Sequence, residues 1–179
     1  GDWSSDVCSS DLDEAAKKFT IKGSGSDIGG NTDAFQFVWQ PVAGDCEIVA
    51  RIGSLQSQNP GAKAGLMIRT DPARESTHSS VLALPGGKLE FATRAEPNKP
   101  TKSDAKQNLP LPRWLKLVRQ GSTVIGYESA DGQAWNEVGR GNPGGLGPTA
   151  FVGMAVCAHA KGQATTADII EVKIQKTKP

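Results

Sequence analysis

The residues of this chain that could do covalent chemistry are few: 2 histidines, 3 cysteines and a scatter of acids on apolar segments. Retaining glycoside hydrolysis needs two carboxyls about 5 Å apart. On a strand that means acids at alternate positions. Here Glu90 stands alone in Leu89-Glu90-Phe91, and Glu128 alone in Tyr127-Glu128-Ser129. Each reads as an exposed strand residue, so glycoside hydrolysis is disfavoured. His78 falls in a turn with Ser76, Thr77 and Ser79, and His159 ends an apolar segment. A triad or a metal site would need an acid or nucleophile aligned with them. No such spacing exists, and the GxSxG pattern is absent. No CxxC pair points to zinc. For Cys46 and Cys157 two readings stay open: buried free thiols, or a pair if their strands are neighbours.

Non-covalent recognition is better provided for. A sugar face stacks on Trp or Tyr, and Arg, Asp, Asn and Gln fix its hydroxyls. Trp39, Trp114, Tyr127 and Trp135 supply rings; Gln36, Arg51, Arg69, Glu90, Arg94 and Arg119 supply polar groups. If segments 62–69, 88–94 and 114–120 lie side by side, they form a concave polar sheet. The ligand-binding set expected on it is Arg69, Glu90, Arg94, Lys116 and Arg119, with Trp39 and Tyr127 as platforms. The alternative is a solvated charged face, with Trp39 and Trp114 in the core. Ser129-Ala130-Asp131-Gly132-Gln133-Ala134-Trp135 is similar to the sialidase Asp-box, less one residue between Asp and Gly. A turn at Asp131-Gly132 with Trp135 packed over it accounts for it.

The elements that would hold these residues read as all-β. Short runs rich in β-branched and aromatic residues fall at 19–22, 34–40, 46–55, 62–70, 79–84, 88–94, 113–120, 123–129, 136–140, 149–159 and 167–175. Gly, Pro, Asn and Asp lie between them, the pattern of a sandwich or barrel. Cys46, Ile48, Ala50 and Ile52 alternate with Glu47, Val49 and Arg51; Ala64, Leu66 and Ile68 alternate with Gly65, Met67 and Arg69. One apolar face per strand is what two packed antiparallel sheets require. Gly86-Gly87, Gly121-Ser122 and Asp131-Gly132 suit two-residue hairpin turns. Segment 95–112, with Lys99, Lys102, Lys106 and four prolines, and the Gly- and Pro-rich segment 141–148 read as long loops. Helical periodicity is confined to 13–18.

The chain has 179 residues with a formal net charge of +1 and no apolar run long enough to span a membrane. Neither nucleic acid nor a membrane surface is an expected partner. Reverse translation of Asp2 to Leu12 permits the sequence of a common short-read sequencing adapter. Residues 1–12 therefore read as an adapter-derived scar on a metagenomic fragment, and 13–179 as a single, N-terminally truncated β-sandwich domain. Without Asp2, Asp6 and Asp11 the acids fall from 19 to 16 against 20 Lys and Arg, a net charge of +4.

Four strings, GSGSDIGG to VARI (23–52), AKAGLMIR (62–69), WLKLVRQGSTVIGYESADGQAW (114–135) and FVGMAVCAHA (151–160), resemble a bacterial concanavalin A-like, LamG-like domain family. That family is related to the C-terminal domain of β-xylosidases. The resemblance implies an all-β, two-sheet antiparallel jelly-roll sandwich from a secreted or cell-surface multidomain protein. It also implies a structural Ca²⁺ near the sheet rim, for which Asp27, Asp33 and Asp168 are the candidates; turn-forming aspartates are the alternative. No other cofactor is expected. The expected role is a non-catalytic extracellular carbohydrate-binding or accessory module that binds a polysaccharide beside other domains of its parent protein. The alternatives are an adhesion or assembly domain binding protein partners, and a glycoside hydrolase or lyase.

Overall fold

The computed structural model describes residues 3–5, 10–13 and 18–177. Every regular element among them is a strand. In chain order they are β1 (Ser4–Ser5), β2 (Ser10–Asp13), β3 (Lys18–Gly25), β4 (Asp27–Gly29), β5 (Thr32–Ala34), β6 (Gln36–Ala43), β7 (Cys46–Gln56) and β8 (Lys63–Arg69). They continue as β9 (His78–Leu84), β10 (Lys88–Arg94), β11 (Lys102–Lys106), β12 (Arg113–Gln120), β13 (Thr123–Ser129), β14 (Asn136–Gly141), β15 (Thr149–Cys157) and β16 (Ala160–Lys176). A front sheet runs β1-β6-β15-β8-β9-β10-β11, and a back sheet β14-β13-β12-β7-β16-β3-β2. All pairings are antiparallel. This is the expected jelly-roll sandwich.

The alternation read from sequence sets the core. Ala64, Leu66, Ile68, Val81, Val152 and Met154 of the front sheet meet Ile48, Ala50, Ile52, Leu115, Leu117 and Ile169 of the back sheet. Phe91 reaches from the front sheet into a slot over Gly126 and Gly139 of the back sheet. A Cβ there would sit 2.6 Å and 2.5 Å from the ring. Gly86 and Gly87 both take positive φ in the β9–β10 turn, as a two-residue hairpin demands. Trp3 packs edge-on against Phe19, with ring centroids 5.3 Å apart.

Three features depart from the expectations. Segment 27–34 is a separate two-stranded sheet, β4–β5, where only turns were expected. Segment 95–112 carries an exposed edge strand, β11, paired to β10. Segment 141–148 is tied down, with the Thr77 hydroxyl donating to the Gly144 carbonyl at 2.6 Å. The periodic stretch at 13–18 has Asp13 ending β2 and Lys18 opening β3; residues 14–17 lie outside the described residues.

Candidate functional site

The β4–β5 hairpin lies on the outer face of the front sheet. Antiparallel register puts Phe37, Ala155, Gly65, Leu82 and Glu90 in one row across that face. Ile28 of the hairpin is fully buried against Phe37, Met67, Leu82, Ala155 and Cys157. An apolar wedge alone would not bury this hairpin, because its other residues are polar, Gly or the small Ala34. A charged cluster completes the seal.

Asp33 is the centre of that cluster. Its carboxylate accepts from Arg69 Nη1 at 2.7 Å and from Arg94 Nη1 and Nη2 at 2.7 Å and 2.8 Å. Arg69, Arg94 and Asp33 side chains are all 0% exposed. Arg94 also donates to the Gly30 carbonyl at 3.0 Å and the Ser76 carbonyl at 3.1 Å, and Arg69 to the Ala73 carbonyl at 2.6 Å. Such satisfaction is what a buried ion cluster needs, since an unpaired buried charge is costly. Burial opposes ionisation of Asp33, but the Arg94 hydrogen bonds and the charge of Arg69 outweigh it and hold the carboxyl below its ordinary value. His78 sits 3.7 Å from Asp33. Burial, reinforced by both arginines, pulls its pKa down to about 3, so the ring is neutral at neutral pH. Neither His78 nitrogen, nor the buried Ser80 hydroxyl in the adjacent row, has a hydrogen-bond partner among the described residues.

A second cluster pins the other strand of the hairpin. Lys63 Nζ donates to the Ile28 carbonyl at 3.1 Å and pairs with Asp27 at 3.1 Å and Glu90 at 3.5 Å. His159 Nδ1 stands 3.2 Å from the same Asp27 oxygen.

The expected ligand set is thereby split. Arg69, Glu90 and Arg94 do share one face of the front sheet, but the hairpin covers them. Glu90 is not an exposed residue but 8% exposed and paired with Lys63, and Glu128 is 5% exposed and paired with Arg113 at 2.7 Å. Lys116, Arg119 and Tyr127 belong to the back sheet, so segment 114–120 is no neighbour of the other two. Lys116 lies on the outside, over Tyr127 (4.9 Å) and Trp135 (4.3 Å). Arg119 is turned inward with Leu115 and Leu117 and donates to the Gly121 carbonyl at 3.0 Å. Trp114 packs against Gly132 of the Asp131-Gly132 turn. That turn is a closed structural unit, because Asp131 accepts from the Gln133 and Ala134 amides at 2.9 Å and 3.0 Å.

The candidate calcium aspartates do not converge. Asp27 is held by Lys63 and His159, Asp33 by two arginines, and Asp168 by the Thr20 hydroxyl (2.9 Å) and Lys18 (3.8 Å). Among the described residues no cluster of three His, Cys, Asp or Glu side chains could hold a metal. Cys46 faces the core from β7, and Cys157 lies under the hairpin on β15. Both are free, and burial pushes each thiol up to about 11.

What stays open beside the hairpin is a trough. Its first part, about 290 Å³, is lined by Phe35, Gln36, Phe37, Pro72 and Arg74. It shares Ser24, Gly25, Ala34 and Arg74 with a second part of about 690 Å³ that adds Ser26, Lys161 and Gln163. Gln163 and Ala164 lead into a third part of about 540 Å³ lined by Gln56, Ser57 and Gln58. The rings of Phe35, just before β6, and of Phe37 and Trp39 on it follow one another with centroids 5.7 Å and 6.5 Å apart, and Phe151 stands 4.7 Å from Trp39. Of the expected platforms, Trp39 stands next to Phe37 in this row but lines none of the three parts. Gly25, at φ +112°, lets β3 end against the Ala34 backbone, where a Cβ would clash with the Ala34 carbonyl.

The sequence matches no family model and none of the curated proteins. Solved structures do match. A functionally unknown protein from Saccharomyces cerevisiae superposes with a TM-score of 0.78 at 16% identity, over 100% of this chain and 97% of that one. The GH43 protein BlXynB from Bacillus licheniformis, in a mutant form, gives 0.76 at 17% identity over 98% of this chain, which spans 37% of that protein. A prokaryotic β-1,3-1,4-glucanase (lichenase) from a mouse hindgut metagenome gives 0.65 at 11% identity, over 98% of this chain and 93% of that one. These likenesses show the fold, an antiparallel β-sandwich that GH43 proteins and a lichenase also contain. They also correct the expectation that the chain is not an enzyme: a lichenase and a family 7 alginate lyase share this fold over 98% and 94% of the chain, so that expectation does not stand.

Proposed function

We propose that this chain recognises polysaccharide, as part of a secreted or cell-surface protein in which it stands beside other domains. The observation that carries the reading is the trough. It is long, open and lined by amides and hydroxyls, with a row of rings at one end, which is what a chain of sugars requires. Gln36 adds to it: this side chain lines the first part, is 6% exposed, and its amide nitrogen has no hydrogen-bond partner among the described residues. A buried donor left unpaired is costly. Carbohydrate-active neighbours of the same fold support the reading, and so does the resemblance of 62–69 and 114–135 to the C-terminal domain of β-xylosidases.

Affinity electrophoresis against xylan, mixed-linkage glucan and polyuronates tests it, with reducing ends and unsaturated sugars assayed on the same mixtures. Retardation by one glycan, reduced at least tenfold in Phe35→Ala or Gln36→Ala, is the expected result. Mobility unchanged by every polymer would end the proposal.

A further inference from the structure

We infer that the polysaccharide held in the trough is anionic, a polymer carrying uronic-acid carboxylates, and that Arg74 and Lys161 meet those carboxylates. This rests on the polysaccharide reading above. The argument is one of charge and burial. Arg74 lines the first and second parts of the trough, and Lys161 the second. Both side chains are exposed, and neither pairs with a carboxylate among the described residues. Arg74 is nevertheless held in place, with Nε donating to the Asp33 carbonyl at 3.3 Å. That leaves the outer edge of a planar fork for a partner, the geometry that suits a carboxylate.

The lining has almost nothing to repel an anion. Asp33 is the sole acid among the residues that line the three parts, and its carboxylate is sealed between Arg69 and Arg94. The other polar side chains are serines and glutamines, among them Ser24, Ser57, Gln56, Gln58 and Gln163, able to take sugar hydroxyls on either side of the charged units. The hairpin itself shows how this face treats a carboxylate, because its own Asp33 is taken by two arginines one layer below.

The experiment is retention on gels containing polygalacturonate or alginate against xylan and mixed-linkage glucan, for the wild type, Arg74→Gln, Lys161→Gln and the double variant. Polyglutamate serves as a polyanion without sugar. The expected result is retention by a polyuronate, weakened about tenfold by each substitution and abolished in the double variant, with polyglutamate ineffective. Lys161→Gln lies outside the hairpin contacts and keeps the test valid if Arg74→Gln loses stability. Equal retention by a neutral glycan, unchanged in the double variant, overturns the anionic inference and leaves polysaccharide recognition standing. Equal retention by polyglutamate overturns the anionic glycan as the ligand. Retention by no polymer overturns both readings.

Discussion

Asp33 and Arg94 are 61 residues apart in sequence and meet in the interior as a two-point pair, Nη1 to Oδ2 at 2.7 Å and Nη2 to Oδ1 at 2.8 Å. Arg69 completes the set at 2.7 Å. Removing one partner of a buried pair strands the others. Asp33→Asn should therefore cost about 3–5 kcal/mol in urea unfolding. The triple replacement Asp33→Leu, Arg69→Met, Arg94→Met should recover most of that loss, because no charge is left to be stranded.

Acid should find the same place. His78 ordinarily takes a proton near 6.5 but is held near 3 in the folded chain. Between those values the unfolded chain binds a proton that the folded one refuses. Stability is therefore fully present above about pH 6.5 and is lost as pH falls toward 3, by up to several kcal/mol. Asp33 adds to the loss at the acid end, since its carboxyl is held below 3.8 and stability falls as it protonates. Urea midpoints from pH 7 to 3 should fall, and the His78→Gln variant should show a flatter curve.

Phe91 occupies its slot only because two glycines leave room. Gly126→Ala or Gly139→Ala places a methyl against the ring and should cost about 1–3 kcal/mol by thermal or urea unfolding. Combined with Phe91→Leu, either substitution should cost less than the sum of its parts, the mark of direct contact.

The two described cysteines should be silent. Buried thiols near 11 present almost no thiolate at neutral pH. In a Cys8→Ser background, a thiol reagent should label neither Cys46 nor Cys157 in native buffer and both in denaturant.

The large strands were legible because their burial follows a local rule. Cys46 to Ile52 and Ala64 to Ile68 alternate, and both face the core. The hairpin was not legible. Asp27, Gly29, Gly30, Asn31, Thr32 and Asp33 look like turn residues, and only Ile28 and the small Ala34 are apolar. Its burial comes from partners on β8 and β10, which no local pattern reveals. A signal was present, though: Arg69 closes a strand buried along its whole length, and a buried guanidinium demands an acid. Which strands share a sheet is equally non-local. Arg69 and Arg94 were rightly placed on one face, while Lys116, on an equally good strand, went to the other sheet. The trough was missed because its lining comes from strand ends and connections far apart in sequence.

The hairpin brings its own countercharge and its own wedge, and it joins β3 to β6 without entering either large sheet. Residues 27–34 therefore form a stopper keyed into the outer face of the front sheet. Exchanging them for a longer or shorter stretch would widen or narrow the mouth beside it while every pairing in the two sheets keeps its register. Diversity in what the mouth admits can arise there at little risk to folding, provided the newcomer carries one acid for the two guanidinium groups beneath.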